Sequence, residues 1–170
     1  MRKRCSTVLL SLISPVVLAC EPEAALRLEA IRTLYADPDI ARYVCVDDGA
    51  CGIEEFARQI DVRTVSLSPA GAGGIQVEPV RKGAQYFSAL FLRDQCRYKM
   101  VFAPDTTLSD VKLLKKQKNN FYVLRAVERD SAQAWKEYDF AYDPATRQYA
   151  EPAARCFSAA GGKNNVVKCE

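Results

Sequence analysis

Seven cysteines and no histidine set the limits of the chemistry this 170-residue chain can perform. Without an imidazole there is no serine–histidine or cysteine–histidine nucleophile, and no histidine-based zinc hydrolysis. The cysteines stand at 5, 20, 45, 51, 96, 156 and 169, and none form a Cys-x-x-Cys pair. No metal site is therefore expected, and no cofactor. Gly71-Ala72-Gly73-Gly74 lacks the Gly-Lys-Ser/Thr ending that holds nucleotide phosphates. Asp47-Asp48-Gly49 offers hard oxygen ligands on a turn but not the full calcium-loop pattern. Carboxylate pairs remain, in Asp47 and Asp48 and in Glu137, Asp139 and Asp143. Glycoside hydrolysis needs two such groups at a fixed separation. These acids read instead as solvent-facing strand and turn residues, so no catalytic residue is assigned.

The N-terminus points to export, and an exported protein meets an oxidising compartment in which disulfides persist. Arg2, Lys3 and Arg4 precede the uncharged, largely apolar run Thr7 to Ala19. This is the plan of a signal peptide covering residues 1–19, with a single globular domain at 20–170. The run is too short for a membrane helix: its thirteen residues rise about 20 Å against roughly 30 Å of hydrocarbon. The leader also carries the excess charge. It holds three of the 24 basic residues and none of the 21 acidic ones, so the body is formally neutral. A neutral body argues against nucleic-acid binding. Its one basic run, Lys112, Lys115, Lys116 and Lys118, reads as a solvated turn.

Val17-Leu18-Ala19-Cys20 resembles the lipobox of bacterial lipoproteins, with Val17 in place of the commoner leucine. The resemblance implies lipidation of Cys20 as the mature N-terminus. Glu21 in the next position implies a periplasmic protein held by its lipid at the outer membrane. Val17 and Ala19 also suit ordinary signal-peptidase cleavage after Ala19. The cysteine count separates the two routes. Lipidation of Cys20 leaves five cysteines in the body, whereas a plain Cys20 leaves six, enough for three bridges. With Cys20 lipidated, the expected disulfides are Cys45 with Cys51, across a turn that Gly49 can close, and Cys156 with Cys169, pinning the C-terminal tail. Cys96 is then the odd thiol.

The elements that must position these residues are helical first and extended later. Ala24, Leu28, Ile31 and Tyr35 recur at near-helical spacing within 22–43, and Asp37-Pro38 breaks the run and starts a second, shorter turn. Ile53, Phe56, Ala57 and Ile60 mark another short helix. Strands are expected at Val62–Leu67, Ile75–Val80, Gln85–Arg93, Arg97–Ala103, Phe121–Glu128 and Trp135–Tyr142. A weaker strand is expected at Leu108–Leu114, a polar turn at Lys115–Asn120, and a return strand from Gln148. Asp143-Pro144-Ala145-Thr146 should turn the chain, with Asp143 bonding nearby amides. The expected fold class is α+β, with N-terminal helices packed on a curved antiparallel sheet of about six strands. Most of the late aromatics, Phe121, Tyr122, Trp135, Tyr138, Phe140, Tyr142 and Tyr149, are expected in the core of that sheet, with one or two left for a binding surface.

The body weakly resembles small periplasmic inhibitor and immunity lipoproteins. That resemblance implies a noncatalytic envelope protein bound to a protein partner, such as a hydrolytic toxin or lysozyme, whose active site a loop would plug. Asp94–Arg97 and Lys115–Asn120 are the loops available. The alternatives are a structural or assembly lipoprotein of an envelope machine, and a carboxylate-dependent glycan hydrolase.

Overall fold

In the first helix, Pro22 presets the entry and its carbonyl accepts the amides of Ala25 and Leu26 at 2.9 and 3.3 Å. The structure, a computed structural model, describes residues 20–45, 51–81, 86–159 and 164–169. Helix α1 spans Glu23–Tyr35, α2 Pro38–Val44 and α3 Ile53–Arg58. Asp37 caps α2, its Oδ1 accepting from the amides of Asp39 and Ile40 at 3.0 and 3.3 Å, with Pro38 at the first helical position. The buried face of α1 is Leu26, Ala30, Ile31 and Leu34, not the Ala24–Leu28–Ile31–Tyr35 stripe expected from spacing. Leu28 is exposed. Apolar residues surround α1, so two stripes satisfy the 3.6-residue period and only packing selects between them.

Nine strands follow among the described residues, in two antiparallel sheets. The first holds β1 (Ile60–Ser66), β2 (Gly73–Pro79), β3 (Ala89–Asp94) and β4 (Arg97–Phe102) in chain order. The second holds β5 (Leu108–Lys118), β6 (Phe121–Arg129), β7 (Ala134–Asp143), β8 (Gln148–Ser158) and β9 (Asn165–Val167), again in chain order. The chain thus mixes helices with antiparallel sheet, as expected, but a single sheet of about six strands is corrected to two of four and five. The break falls after β4. Pro104 has no amide to donate, and Asp105 folds the next residues over, its Oδ1 accepting from the Thr107 amide at 2.8 Å. β4 and β5 therefore do not pair.

Two apolar clusters carry the packing. In one, Ala30, Ile31, Leu34, Ile40, Val44 and Phe56 of the helices share a core with Ile75, Val77, Phe87 and Phe91. In the other, Leu90, Leu92, Val101 and Phe102 of the first sheet meet Leu108, Leu124, Ala126, Tyr142 and Tyr149 of the second. Gly74 lets β2 and β3 approach closely. A Cβ there would sit 2.3 Å from the Phe91 carbonyl oxygen and 2.9 Å from Leu67 Cδ1.

The tight turns carry the residues that their geometry demands. Asn119 and Asn120 both have positive φ, as a two-residue hairpin turn of type I′ requires. Asp143 accepts from the Ala145 amide at 2.9 Å and the Thr146 hydroxyl at 2.9 Å, and these donors hold its carboxyl below the usual range. Lys115, Lys116 and Lys118 belong to β5 rather than to a turn. β5 is an outer strand of its sheet, and lysines on such an edge discourage pairing with other chains.

Three disulfides join the described cysteines: Cys45–Cys51, Cys156–Cys169 and Cys20–Cys96. The first two are the expected pairs. The third corrects the assignment of Cys96 as an odd thiol. α1 starts against the β3–β4 hairpin, where Glu23 accepts from the Tyr98 hydroxyl at 2.5 Å and pairs with Arg93 at 3.0 Å. That contact brings Cys20 to the hairpin turn across a sequence separation of 76. A sulfur in this bond has no valence left for a lipid thioether.

Candidate functional site

β2 is buried along nearly its whole length, yet its two faces differ in kind. Ile75 and Val77 point into the helix-side core. The alternate residues, Gln76 and Glu78, are also buried, Glu78 to 1 % exposure. Valine at those positions would satisfy the fold without the cost of taking a carboxylate out of water. The polar pair is held by a connected set of bonds. Gln76 Nε2 donates to Glu78 Oε1 at 2.9 Å, to Ser88 Oγ at 3.0 Å and to the Val111 carbonyl at 3.1 Å. Arg63 of β1 closes on Glu78 and also pairs with Asp61 at 3.2 Å.

Gln76 and Glu78 line a groove of about 850 Å³ between the two sheets. β1 gives it Arg63 and Val65, and Tyr86 comes from the segment before β3. β5 gives Asp110 to Leu113, while β6 and β7 give Val127, Arg129, Trp135 and Glu137. A bulge in β5 shapes this wall. The β5–β6 register shifts between Ser109 and Lys112, and Asp110 takes a positive φ of 51° there. The extra residue re-aims the strand, and Asp110 meets Arg129 at 3.0 Å. Strand alternation supplies the opposite wall. Trp135 and Glu137 fall on the face opposite to Tyr138 and Phe140, which pack with the second core cluster.

That alternation separates the late aromatics, most of them in the core and Trp135 at the groove. Tyr142 and Tyr149 are buried, and Phe121, Tyr138 and Phe140 pack against the cluster that holds them. Trp135 lies outside that cluster, half-buried at the groove and stacked on Phe157 at 5.3 Å between ring centroids. Tyr138 donates to Glu128 Oε2 at 2.5 Å, and this bond to a carboxylate pushes its phenol up to about 12.

The acids considered for hydrolysis are tied to cations. Arg125 holds Asp139 through two bonds at 2.7 and 3.1 Å and reaches Glu137 at 3.1 Å. Arg155 also pairs with Glu137 at 3.1 Å. The Arg125 hydrogen bond holds the Asp139 carboxyl below its ordinary value. A general acid needs the opposite shift. The carboxylate of Asp143 is engaged by its own turn. Asp47, Asp48 and Gly49 lie outside the described residues.

The two loops considered for plugging a partner are short and anchored. Between Asp94 and Arg97 only Gln95 and Cys96 turn, with Cys96 bonded to Cys20 and Asp94 paired with Arg147 at 3.0 Å. At the other hairpin Asn119 donates its side-chain amide to the Tyr142 carbonyl at 2.8 Å. Sequence reasoning passed over the groove. The available signal was the alternation Ile75-Gln76-Val77-Glu78, which places two polar residues in a strand with no solvent-facing side.

No protein-family model, curated protein or solved structure matches the chain.

Proposed function

We propose that this chain is an exported, noncatalytic binding protein that takes a protein partner into the groove between its sheets. The observation that carries the reading is the convergence of Trp135, Tyr86, Arg63 and Arg129 on one concave site with a buried polar floor. Tryptophan, tyrosine and arginine dominate the residues that carry binding energy at protein interfaces. The ionised state of Asp139 and the guanidinium clamp on Glu137 favour binding over hydrolysis.

For maturation, the proposal is export by the leader and cleavage after Ala19, leaving Cys20 to bond Cys96 in the periplasm. Lipidation of Cys20, with anchoring to the outer membrane, is the competing route, since one sulfur cannot serve both. A hydrolytic toxin or lysozyme is the partner class implied by the resemblance to inhibitor lipoproteins, and an assembly role in an envelope machine is the alternative.

The test is capture from envelope extract by the tagged, exported protein, compared with Trp135→Ala and Arg129→Ala. Loss of the same captured protein in both variants, with unfolding midpoints near wild type, supports the groove. Undiminished capture by both variants removes it from the function.

A further inference from the structure

We propose that Glu23 is a positioning residue for the oxidation of Cys20, an inference that rests on the cleavage route given above. By gripping the β3–β4 hairpin, Glu23 makes the folded chain present Cys20 to Cys96. Six cysteines in the body allow many pairings. Of the three bridges formed, Cys20–Cys96 spans the longest separation, 76 against 13 and 6. Proximity along the chain brings the other two pairs together but does nothing for this one, so contacts of the fold must do it.

The grip has three donors. Glu23 Oε1 accepts from the Tyr98 hydroxyl at 2.5 Å and from Arg27 Nε at 3.0 Å, and Oε2 accepts from Arg93 Nη1 at 3.0 Å. Arg93 and Tyr98 face each other across β3 and β4. They lie one rung in from Asp94 and Arg97, which flank the turn that carries Cys96. Arg27 also donates to Thr64 of β1 at 2.8 Å, which ties the start of α1 to a second strand. The Tyr98 and Arg27 hydrogen bonds hold the Glu23 carboxyl below its ordinary value, and the carboxylate is the form that accepts from all three donors. The turn is braced from the other side too, where Asp94 pairs with Arg147 at 3.0 Å. Both ends of the bridge are therefore held by contacts that do not depend on it.

Tether length gives the size of the effect. Cys20 lies three residues before Glu23, a stretch of at most about 11 Å when fully extended. With the grip lost, the next anchor along the chain is Leu26, 2 % exposed in the helix-side packing of α1. The tether doubles from three residues to six. Local concentration falls as roughly the −3/2 power of tether length, which is about threefold here. Lost orientation at the helix start adds to that.

Glutathione disulfide serves as the oxidant. The Cys96 thiolate attacks one of its sulfurs and releases one glutathione thiolate. The Cys20 thiolate then attacks the Cys96 sulfur of the mixed disulfide and releases the second. Two electrons pass to the glutathione pair, and the protons of the two protein thiols end on the released thiolates. The experiment equilibrates the exported protein in glutathione buffers of graded redox ratio, quenches with acid, alkylates, and maps each cysteine by mass. Cys20 and Cys96 are both exposed, so the buffer reaches them. Glu23→Gln should lower the equilibrium constant for Cys20–Cys96 about three- to tenfold, with Cys45–Cys51 and Cys156–Cys169 unchanged. Tyr98→Phe should act in the same direction, and the double variant should lose less than the two effects combined, because both bear on one carboxylate. Glu29→Gln, the same charge change on an exposed residue farther along α1, should match wild type. Equal constants for wild type and Glu23→Gln overturn the inference, and so does a fall shared by all three bridges, the mark of a general loosening of the fold. A lipid adduct on wild-type Cys20 overturns the cleavage route as well, whereas an unlipidated, bridged Cys20 indifferent to Glu23→Gln overturns the positioning role alone.

Discussion

Removing the Cys20–Cys96 bond should destabilise the protein more than removing either of its other disulfides. The perturbation is a set of three double serine variants, one per bridge. In the loop-closure relation, the stabilisation grows with the length of chain that the bond encloses. Cys20–Cys96 has a separation of 76, Cys156–Cys169 of 13 and Cys45–Cys51 of 6. The corresponding entropic contributions at 25 °C are about 4.5, about 3.0 and about 2.4 kcal/mol. Strand pairing and the helix core remain in every variant, so differences between the three are better determined than the values themselves. The assay is urea unfolding of the oxidised exported proteins, with intact mass measured first. The wild-type mass should correspond to a chain beginning at Cys20, without lipid, and six hydrogens lighter than its fully reduced form. A diacylglyceryl adduct on Cys20 would refute both the bridge and the proposed processing. So would a Cys20→Ser/Cys96→Ser variant no less stable than Cys45→Ser/Cys51→Ser.

Gly74→Ala should cost roughly 1–3 kcal/mol or prevent folding, because its Cβ would strike the Phe91 carbonyl oxygen, a backbone atom that cannot rotate away. Thermal unfolding near the wild-type midpoint would contradict that contact. Phe140→Ala should lower stability by about 3 kcal/mol, since the ring packs edge-on against Phe102 at 5.1 Å, while Lys116→Ala on the exposed β5 edge should change little. Equal urea midpoints for the two variants would place Phe140 outside the core. Asp139 has a folded pKa below its ordinary value of 3.8, so its contribution is present above that value and is lost as pH falls through the folded one. Asp139→Asn should therefore lower stability at neutral pH and flatten the decline below about pH 4, read from urea midpoints against pH. An unchanged acid limb would reject the Arg125–Asp139 pair as its source.

What the sequence determined by itself is local. Asp37 before Pro38 specifies a capped helix start because its side chain reaches amides two and three residues on. Asp143-Pro144 specifies a turn for the same reason. Cys45–Cys51 and Cys156–Cys169 span short stretches, so proximity along the chain indicated the pairing. Most strands also fell near their expected places, since alternation and turn residues are properties of a few neighbours. Tertiary structure decided everything that depends on distant partners. It chose which stripe of α1 is buried, and it divided one expected sheet into two after Pro104. It also brought Cys96 to Cys20 by docking α1 on a hairpin some seventy residues away. The groove belongs to this second group. Gln76 and Glu78 fell within the expected strand Ile75–Val80, with no role assigned to them. They became the floor of a site only when the second sheet closed over the face that a lone sheet would have turned to water.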